Sequence, residues 1–258
     1  MSLLKFLRIF ALFLVLVVVA GVNYQNAVET TDWDSPLRVA VYPVNADGSP
    51  DTARFIEGLT AGHYEDVEVF FTREGRRYDV GLERPVDLWL GELVAAVPPP
   101  PPADRGPLRV AAWSLRLRLW TWWTLRDQPG PPPQVRVFAL FHDPETSRSV
   151  PDSLGLRKGL IGVAHGFAAP RLAGTNALVL AHELLHTLGA TDKYDPATSR
   201  PLWPEGYAEP DAEPLHPQRR AEIMAGRLPV SENEAVLPAG LAVTTVGPAT
   251  AREIGWAR

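Results

Sequence analysis

Short apolar runs predict several β-strands in the first two thirds of the chain. Residues 37–44, 86–90, 134–141 and 160–165 are rich in branched apolar side chains and bounded by proline, glycine or polar residues. Residues 67–71 partly alternate between apolar and polar positions, which predicts a further strand there.

Helices are predicted beside these strands. A short helix capped by Asp51 is expected to reach Leu59, and Pro248 is expected to open a terminal helix through Trp256. Residues 108–125 carry four tryptophans and fit both a helical and an alternating period, but their length favours a helix. We expect those tryptophans to pack in the core or against a membrane surface rather than against a ligand.

The most regular helical run covers residues 176–188, where leucine and alanine recur at the spacing of one buried face. Thr175 is placed to cap its N-terminus, and Gly189 stands where a left-handed residue would end it. Residues 196–217 are rich in proline and glutamate with little periodicity, so we expect an irregular ordered loop there. Together these elements predict an α+β fold with a small irregular C-terminal half.

The N-terminus has the pattern of an exported, membrane-anchored protein. Lys5 and Arg8 precede an uncharged apolar run at 9–22, so the positive-inside rule places the N-terminus in the cytoplasm and the domain outside, in the periplasm or extracellular space. We expect residues 1–22 to be a signal anchor, a single-pass helix in the cell membrane; the alternative is a signal peptide whose cleavage releases a secreted protein. A linker at 23–36 would then lead to one domain.

Composition narrows the possible chemistry. A chain of 258 residues can bury the core of one domain, and its net charge of −5 without a basic block argues against a nucleic-acid partner. The chain has no cysteine, which excludes disulfides and thiolate ligands. Any zinc would therefore be held by histidine and carboxylate, the ligand set typical of catalytic sites.

One motif carries the candidate chemistry, and it begins His-Glu-Leu-Leu-His-Thr-Leu-Gly-Ala-Thr-Asp at His182. His182 and His186 lie four residues apart on a predicted helix, so both imidazoles project from one face and can share one Zn²⁺. Glu183 is placed to act as general base on a metal-activated water. Since Gly189 turns the chain back, a third ligand is expected just beyond it, where Asp192 offers a carboxylate.

The pattern H-E-x-x-H-x-x-G-x-x-D resembles the signature of the zincin metallopeptidases, and more narrowly that of metzincins with aspartate as third ligand, as in the snapalysin-like peptidases. The run from His186 to Asp195, His-Thr-Leu-Gly-Ala-Thr-Asp-Lys-Tyr-Asp, also resembles the immune-inhibitor-A type of secreted bacterial peptidase. This resemblance has motif support over residues 134–226. It implies a zincin-like domain at 37–258, with a twisted mixed sheet over an active-site helix in an upper part (37–189) and a smaller lower part (190–258).

Metzincins also carry a methionine in a tight turn beneath the metal. Met224, in Glu222-Ile-Met-Ala-Gly226, matches that feature, and a buried methionine that fills a core gap is the alternative. No tyrosine follows two residues after Met224, so a tyrosine ligand from that place is not supported. The third ligand also has rivals in Glu205 and Glu209, because a later glutamate completes the site in the related gluzincins.

Several further residues are candidates for the site. Tyr194, Tyr207 and His216 could donate a hydrogen bond to an oxyanion, although His216 between two nearby prolines is also typical of a surface loop. His165 could line the cleft, because residues 160–165 are expected at a sheet edge where a peptide adds as a strand. A calcium role for Asp195 is possible but lacks a full set of oxygen ligands.

The sequence thus predicts a zinc metalloendopeptidase with one Zn²⁺ that hydrolyses peptide bonds in a protein or peptide substrate. Two other interpretations remain open. A non-catalytic anchored binding or assembly protein could keep a zincin scaffold, but the presence of Glu183 argues against it. A zinc amidase acting on a non-peptide substrate would use the same chemistry, since zinc and glutamate do not themselves select peptides.

Overall fold

The computed structural model describes residues 30–104, 106–156 and 159–257, together with residue 10. Within these parts the chain has an α+β fold with a five-stranded mixed sheet and five α-helices. The predicted signal anchor and the first part of the linker lie outside the described residues. None of the helices in the described part is long and apolar enough to cross a membrane.

The main sheet contains β1 (Leu37–Asn45), β2 (Val86–Leu90), β3 (Val135–His142), β4 (Leu154–Leu156) and β5 (Ile161–Phe167). The helices are α1 (Pro50–Glu57), α2 (Glu65–Arg77), α3 (Pro107–Leu125), α4 (Ala173–Leu188) and α5 (Pro248–Glu253). The C-terminal third adds two-residue strands: β6 (Tyr194–Asp195), β7 (Arg200–Pro201), β8 (Ala221–Glu222), β9 (Leu228–Pro229), β10 (Ala235–Val236) and β11 (Thr244–Thr245).

The strand order is β2-β1-β3-β5-β4, with the first four strands parallel and β4 antiparallel at the edge. Gly155 of β4 pairs with Gly162 of β5, and Arg136 of β3 pairs with Ile161 on the other side. The strands predicted at 37–44, 86–90, 134–141 and 160–165 are confirmed. The expectation that 160–165 forms the sheet edge is wrong, because β4 pairs along the outer side of β5.

Helices cover both faces of the sheet, which explains why β1 and β3 are nearly continuous apolar runs. On one face, Val41 lies in a core with Phe70 of α2 and Leu184 of α4. On the other face, α3 packs through Leu117 and Trp120, whose ring centroid lies 5.0 Å from that of Phe138. The helix predicted at 108–125 is therefore confirmed.

The strand predicted at 67–71 is wrong, because these residues belong to α2. Val67, Phe70, Phe71 and Glu74 are buried at the spacing of one helical face. Acidic residues in the first turn and arginines in the last turn complement the helix dipole. Five residues are too few to distinguish the helical period from the alternating period of a strand. Over the full length of α2, the buried residues follow the helical period.

Helix ends differ from the sequence expectations in three places. Ser49, not Asp51, caps α1 by accepting a hydrogen bond from the Asp51 backbone N–H at 3.2 Å. Helix α4 begins before Thr175, directly after a 3₁₀ turn at Pro170–Leu172, so Thr175 is not its cap. Helix α5 ends before Trp256, which instead packs edge-on against Trp33 in the core at 5.3 Å.

Candidate metal centre

Helix α4 carries the two motif histidines, and most of its other residues are buried. It packs against β5 and β4, and its leucines lie in the core. At its end Gly189 adopts φ 109°, as predicted from its position. The Gly189 N–H bonds to the His186 carbonyl and the Ala190 N–H to the Leu185 carbonyl, both at 3.1 Å. This Schellman geometry reverses the chain directly after the second histidine.

The reversed chain brings Asp192 to both histidines. Asp192 Oδ1 lies 3.2 Å from His182 Nε2 and 3.1 Å from His186 Nε2. The ligand atoms of the three residues all lie within 4.8 Å of one another. The histidine side chains are 15% and 18% exposed and that of Asp192 is 41% exposed, so the cluster is open to solvent. This group could hold a metal ion.

Backbone carbonyls fix the orientation of both rings. His182 Nδ1 donates to the Ile223 carbonyl at 2.9 Å, and His186 Nδ1 donates to the Ala190 carbonyl at 2.8 Å. With Nδ1 protonated in this way, the neutral tautomer leaves the Nε2 lone pair directed at the cluster. Such anchoring of the outer nitrogen is typical of metal-binding histidines.

Met224 lies in a turn that contacts His182. It is fully buried in a 3₁₀ turn, Ile223–Ala225, that Glu222 caps and Gly226 ends at φ 66°. Ile223 of this turn supplies the carbonyl that anchors His182, and the Met224 carbonyl accepts from the Lys193 N–H at 2.9 Å. The turn therefore contacts both the first histidine and the loop that carries Asp192.

An ion pair between a buried lysine and a partly exposed glutamate holds that loop in place. Lys193 Nζ lies 2.8 Å from both carboxylate oxygens of Glu253 on α5 and also donates to the Thr191 carbonyl at 3.0 Å. The Thr191 N–H and hydroxyl also bind the Glu253 carboxylate. Asp192 is thus flanked on both sides by residues tied to the C-terminal helix, a contact that no local pattern in the sequence indicated.

Glu183 is buried beside the two histidines, with 4% of its surface exposed. Its Oε2 atom accepts no hydrogen bond from the described part of the chain. Burial raises the pKa of Glu183 to about 7, against the opposing effect of the two imidazoles. A buried carboxylate oxygen without a donor is energetically unfavourable, which points to a role in binding or chemistry.

Charges in the cluster are strongly coupled. Burial by itself lowers the pKa of His182, but the hydrogen bond to Asp192 and the charge of Glu183 outweigh it, so this pKa is raised. Burial by itself raises the pKa of Asp192, and its hydrogen bonds to the two imidazoles outweigh that effect and lower the pKa. These contacts favour a protonated His182 beside an ionised Asp192. A divalent cation would take the place of that proton and could bind the same three side chains.

Tyr194 also borders the cluster. Burial raises the pKa of its hydroxyl, as do the negative charges of Asp192 and Glu183 and a side-chain hydrogen bond to Asp192. Its phenol therefore remains protonated at neutral pH and can serve as a donor near the candidate ligands.

Other candidate residues lie elsewhere. Glu205 is exposed and, like Glu209, does not belong to the cluster of candidate ligand atoms found among the described residues. Tyr207 pairs with His216 (hydroxyl to Nε2, 3.3 Å), and within the described ranges neither side chain hydrogen-bonds to the three ligand side chains. His165 Nδ1 lies 3.0 Å from His142 Nε2 rather than beside those ligands.

No protein-family model matches this chain, and none of the curated proteins matches it at a significant level.

Proposed function

We propose that this protein is a zinc metallopeptidase whose metal is held by His182, His186 and Asp192. The observation that carries the proposal is the convergence of these three ligand atoms within 4.8 Å, beside a buried glutamate that lacks a hydrogen-bond donor. Two imidazoles and one carboxylate form a ligand set typical of catalytic zinc, because a fourth position stays open. When bound, Zn²⁺ supplies a Lewis acid that lowers the pKa of a coordinated water to about 7 and polarises a carbonyl.

The residues of the chain divide the remaining work. His182 and His186 would hold the metal through Nε2, because their Nδ1 atoms are engaged by backbone carbonyls. Glu183 acts as general base by accepting a proton from the attacking water, and it later donates that proton to the leaving amine. Burial sets the pKa of Glu183 at about 7, and a cation held by the three ligands would favour its carboxylate form at neutral pH.

Tyr194 is the side chain best placed to donate to the developing oxyanion. Its hydroxyl already borders Asp192 and remains protonated at neutral pH. Tyr207 and His216 are poorer candidates because they bond to each other.

The surroundings of the cluster support a metzincin-like interpretation of the fold. Helix α4 lies against β5 and the antiparallel edge strand β4, and it ends at a left-handed glycine. A buried methionine turn contacts the first histidine, as the resemblance implies for Met224. We further propose that the domain is exported and anchored through residues 1–22, on the evidence of their sequence pattern alone.

The proposal is tested by metal analysis and peptide cleavage on the full chain. Wild type should bind about one zinc per chain and cleave members of a peptide library. Glu183→Gln should keep the zinc and lose at least a hundredfold in rate, whereas His182→Ala should lose both. Glu205→Gln, an exposed carboxylate outside the cluster, is the matched control and should behave as wild type.

Two results would redirect the proposal. Cleavage by Glu183→Gln at the wild-type rate would exclude the mechanism. Zinc binding without peptide cleavage by wild type would favour the anchored binding protein, or an amidase acting on a non-peptide substrate.

A further inference from the structure

Helix α3 is apolar on two opposite sides. Its inward side packs on the sheet through Leu117, which is fully buried. Its outward side carries a stripe at helical spacing, in which Leu108 is 85% exposed, Leu119 59% and Trp122 62%. Leu115 and Trp123 extend the stripe and are equally exposed. Contiguous apolar surface of this kind is typical of a docking site.

Arginines flank this stripe. Residues 107–126 contain four arginines and no acidic residue, in a chain whose net charge is −5. Arg109 contacts Asp104 before the helix, and Arg126 contacts Asp127 after it while its guanidinium stacks 4.2 Å from the Trp123 ring centroid. A helix surface of leucine, tryptophan and arginine is characteristic of segments that lie in the interface of an anionic membrane.

We propose that the outward face of α3 lies on the surface of an anionic lipid bilayer. A second copy of the chain is a poorer occupant, because it would bring the same arginines together. The apolar run at residues 9–22 is also flanked by positive charge, at Lys5 and Arg8. Negatively charged lipid headgroups complement the arginines while the acyl chains accept the leucines and tryptophans.

Topology places the tryptophan end of α3 toward the end of the sheet at which β1 begins. Helix α3 connects β2 to β3, which both run parallel to β1, so its C-terminal half lies toward the amino ends of the strands. The side chain of Arg118 lies beside Gly159, which precedes β5 at that same end. Residues 30–36 lead into β1 at that end, so Trp122 and the start of β1 lie toward the same end of the sheet.

The absence of cysteine allows a direct test on the full chain, because a single introduced cysteine can be labelled. Leu119→Cys carries an environment-sensitive fluorophore, and Val69→Cys on α2 is the matched control, an exposed apolar helix position across the sheet. Both proteins are placed in nanodiscs of phosphatidylcholine alone or with phosphatidylglycerol.

In discs that contain phosphatidylglycerol, we expect the emission maximum of the label at 119 to shift to shorter wavelength and its fluorescence to be quenched by spin-labelled lipid. The label at 69 should show neither change. The variant Arg109→Gln/Arg116→Gln should reduce the ratio of docked to undocked helix roughly fivefold per arginine. Arg76→Gln/Arg84→Gln on the opposite side is its control and should leave the ratio unchanged.

A label at 119 that stays in water in anionic discs would overturn the proposal. The proposal would also be overturned if the label at 119 were shielded from water but its fluorescence were not quenched by spin-labelled lipid. If that shielding came with disulfide formation between unlabelled Leu119→Cys chains, a second copy would be the occupant. If the unquenched shielding of the label disappeared when residues 1–22 were removed, the chain's own N-terminus would be the occupant of this face. None of these outcomes depends on zinc or on peptide cleavage.

Discussion

Gly155 of β4 lies directly against His186 of α4. A β-carbon on Gly155 would stand 2.4 Å from His186 Cβ and 2.5 Å from the Glu183 carbonyl oxygen. The edge strand therefore rests on the backbone of the motif itself, and only glycine allows this approach.

Gly155→Ala should consequently displace β4 or α4. We expect a loss of about 1–3 kcal/mol in the free energy of unfolding and at least a tenfold weaker affinity for zinc. Denaturant unfolding and zinc titration measure the two effects. Gly62→Ala is the control, since the nearest atom to its added carbon is a side-chain oxygen at 3.6 Å. Unchanged zinc affinity in Gly155→Ala would mean that this contact does not position His186.

The identity of the third zinc ligand is tested by replacing the three candidate carboxylates one at a time. Asp192→Ala should weaken zinc binding at least a hundredfold, because it alone among the candidate acids touches both imidazoles. Glu205→Ala and Glu209→Ala should bind zinc as wild type does. Competition with a chelator of known affinity gives the three constants. A large loss in either glutamate variant, with Asp192→Ala unaffected, would reverse the assignment.

The ion pair between Lys193 and Glu253 is expected to position Asp192. Lys193→Met removes one partner of a largely buried pair and should lower the free energy of unfolding by about 3 kcal/mol. Zinc affinity should fall with it, because the loop that carries Asp192 loses its attachment to α5. Lys193→Met/Glu253→Met should recover part of the stability.

Arg252→Gln serves as the control for this pair, as an exposed charge on the same helix. Stability and zinc affinity are measured separately by unfolding and titration. If Lys193→Met lowers stability while zinc affinity stays at the wild-type value, the pair supports the fold without positioning the ligand.

The pairing of His165 with His142 predicts a pH dependence of stability. Burial, and then the neighbouring His142, lower the pKa of His165 from 6.5 to about 4. The unfolded chain therefore binds a proton that the folded chain excludes, so stability present above pH 6.5 is lost as the pH falls toward 4. Because the imidazole is partly exposed and solvent screens its interactions, the loss from this residue should be about 1–2 kcal/mol.

Unfolding free energies of wild type and His165→Gln between pH 7 and 4 measure this contribution. The variant should show a flatter profile, whereas His63→Gln at an exposed position should keep the wild-type slope. Equal slopes for wild type and His165→Gln would show that His165 is protonated equally in both states.

Local patterns in the sequence were sufficient for the elements that matter most. The four-residue spacing of His182 and His186 depends only on helix geometry, and the end of α4 at Gly189 depends on one residue's access to positive φ. The buried parallel strands were also predictable, because strands covered on both faces need continuous apolar runs. The prediction failed at residues 67–71, where five residues fit two periods equally well.

Tertiary structure decided the rest, because the contacts join residues far apart along the chain. Asp192 rather than Glu205 or Glu209 meets the histidines, since the turn after Gly189 is held by α5 some sixty residues later. The carbonyl that anchors His182 comes from Ile223, forty-one residues away. Likewise, β4 rather than β5 is the edge strand, and no described part of the chain covers the outward face of α3. Spacing alone determines which side chains share a helix face, but only long-range packing determines what meets that face.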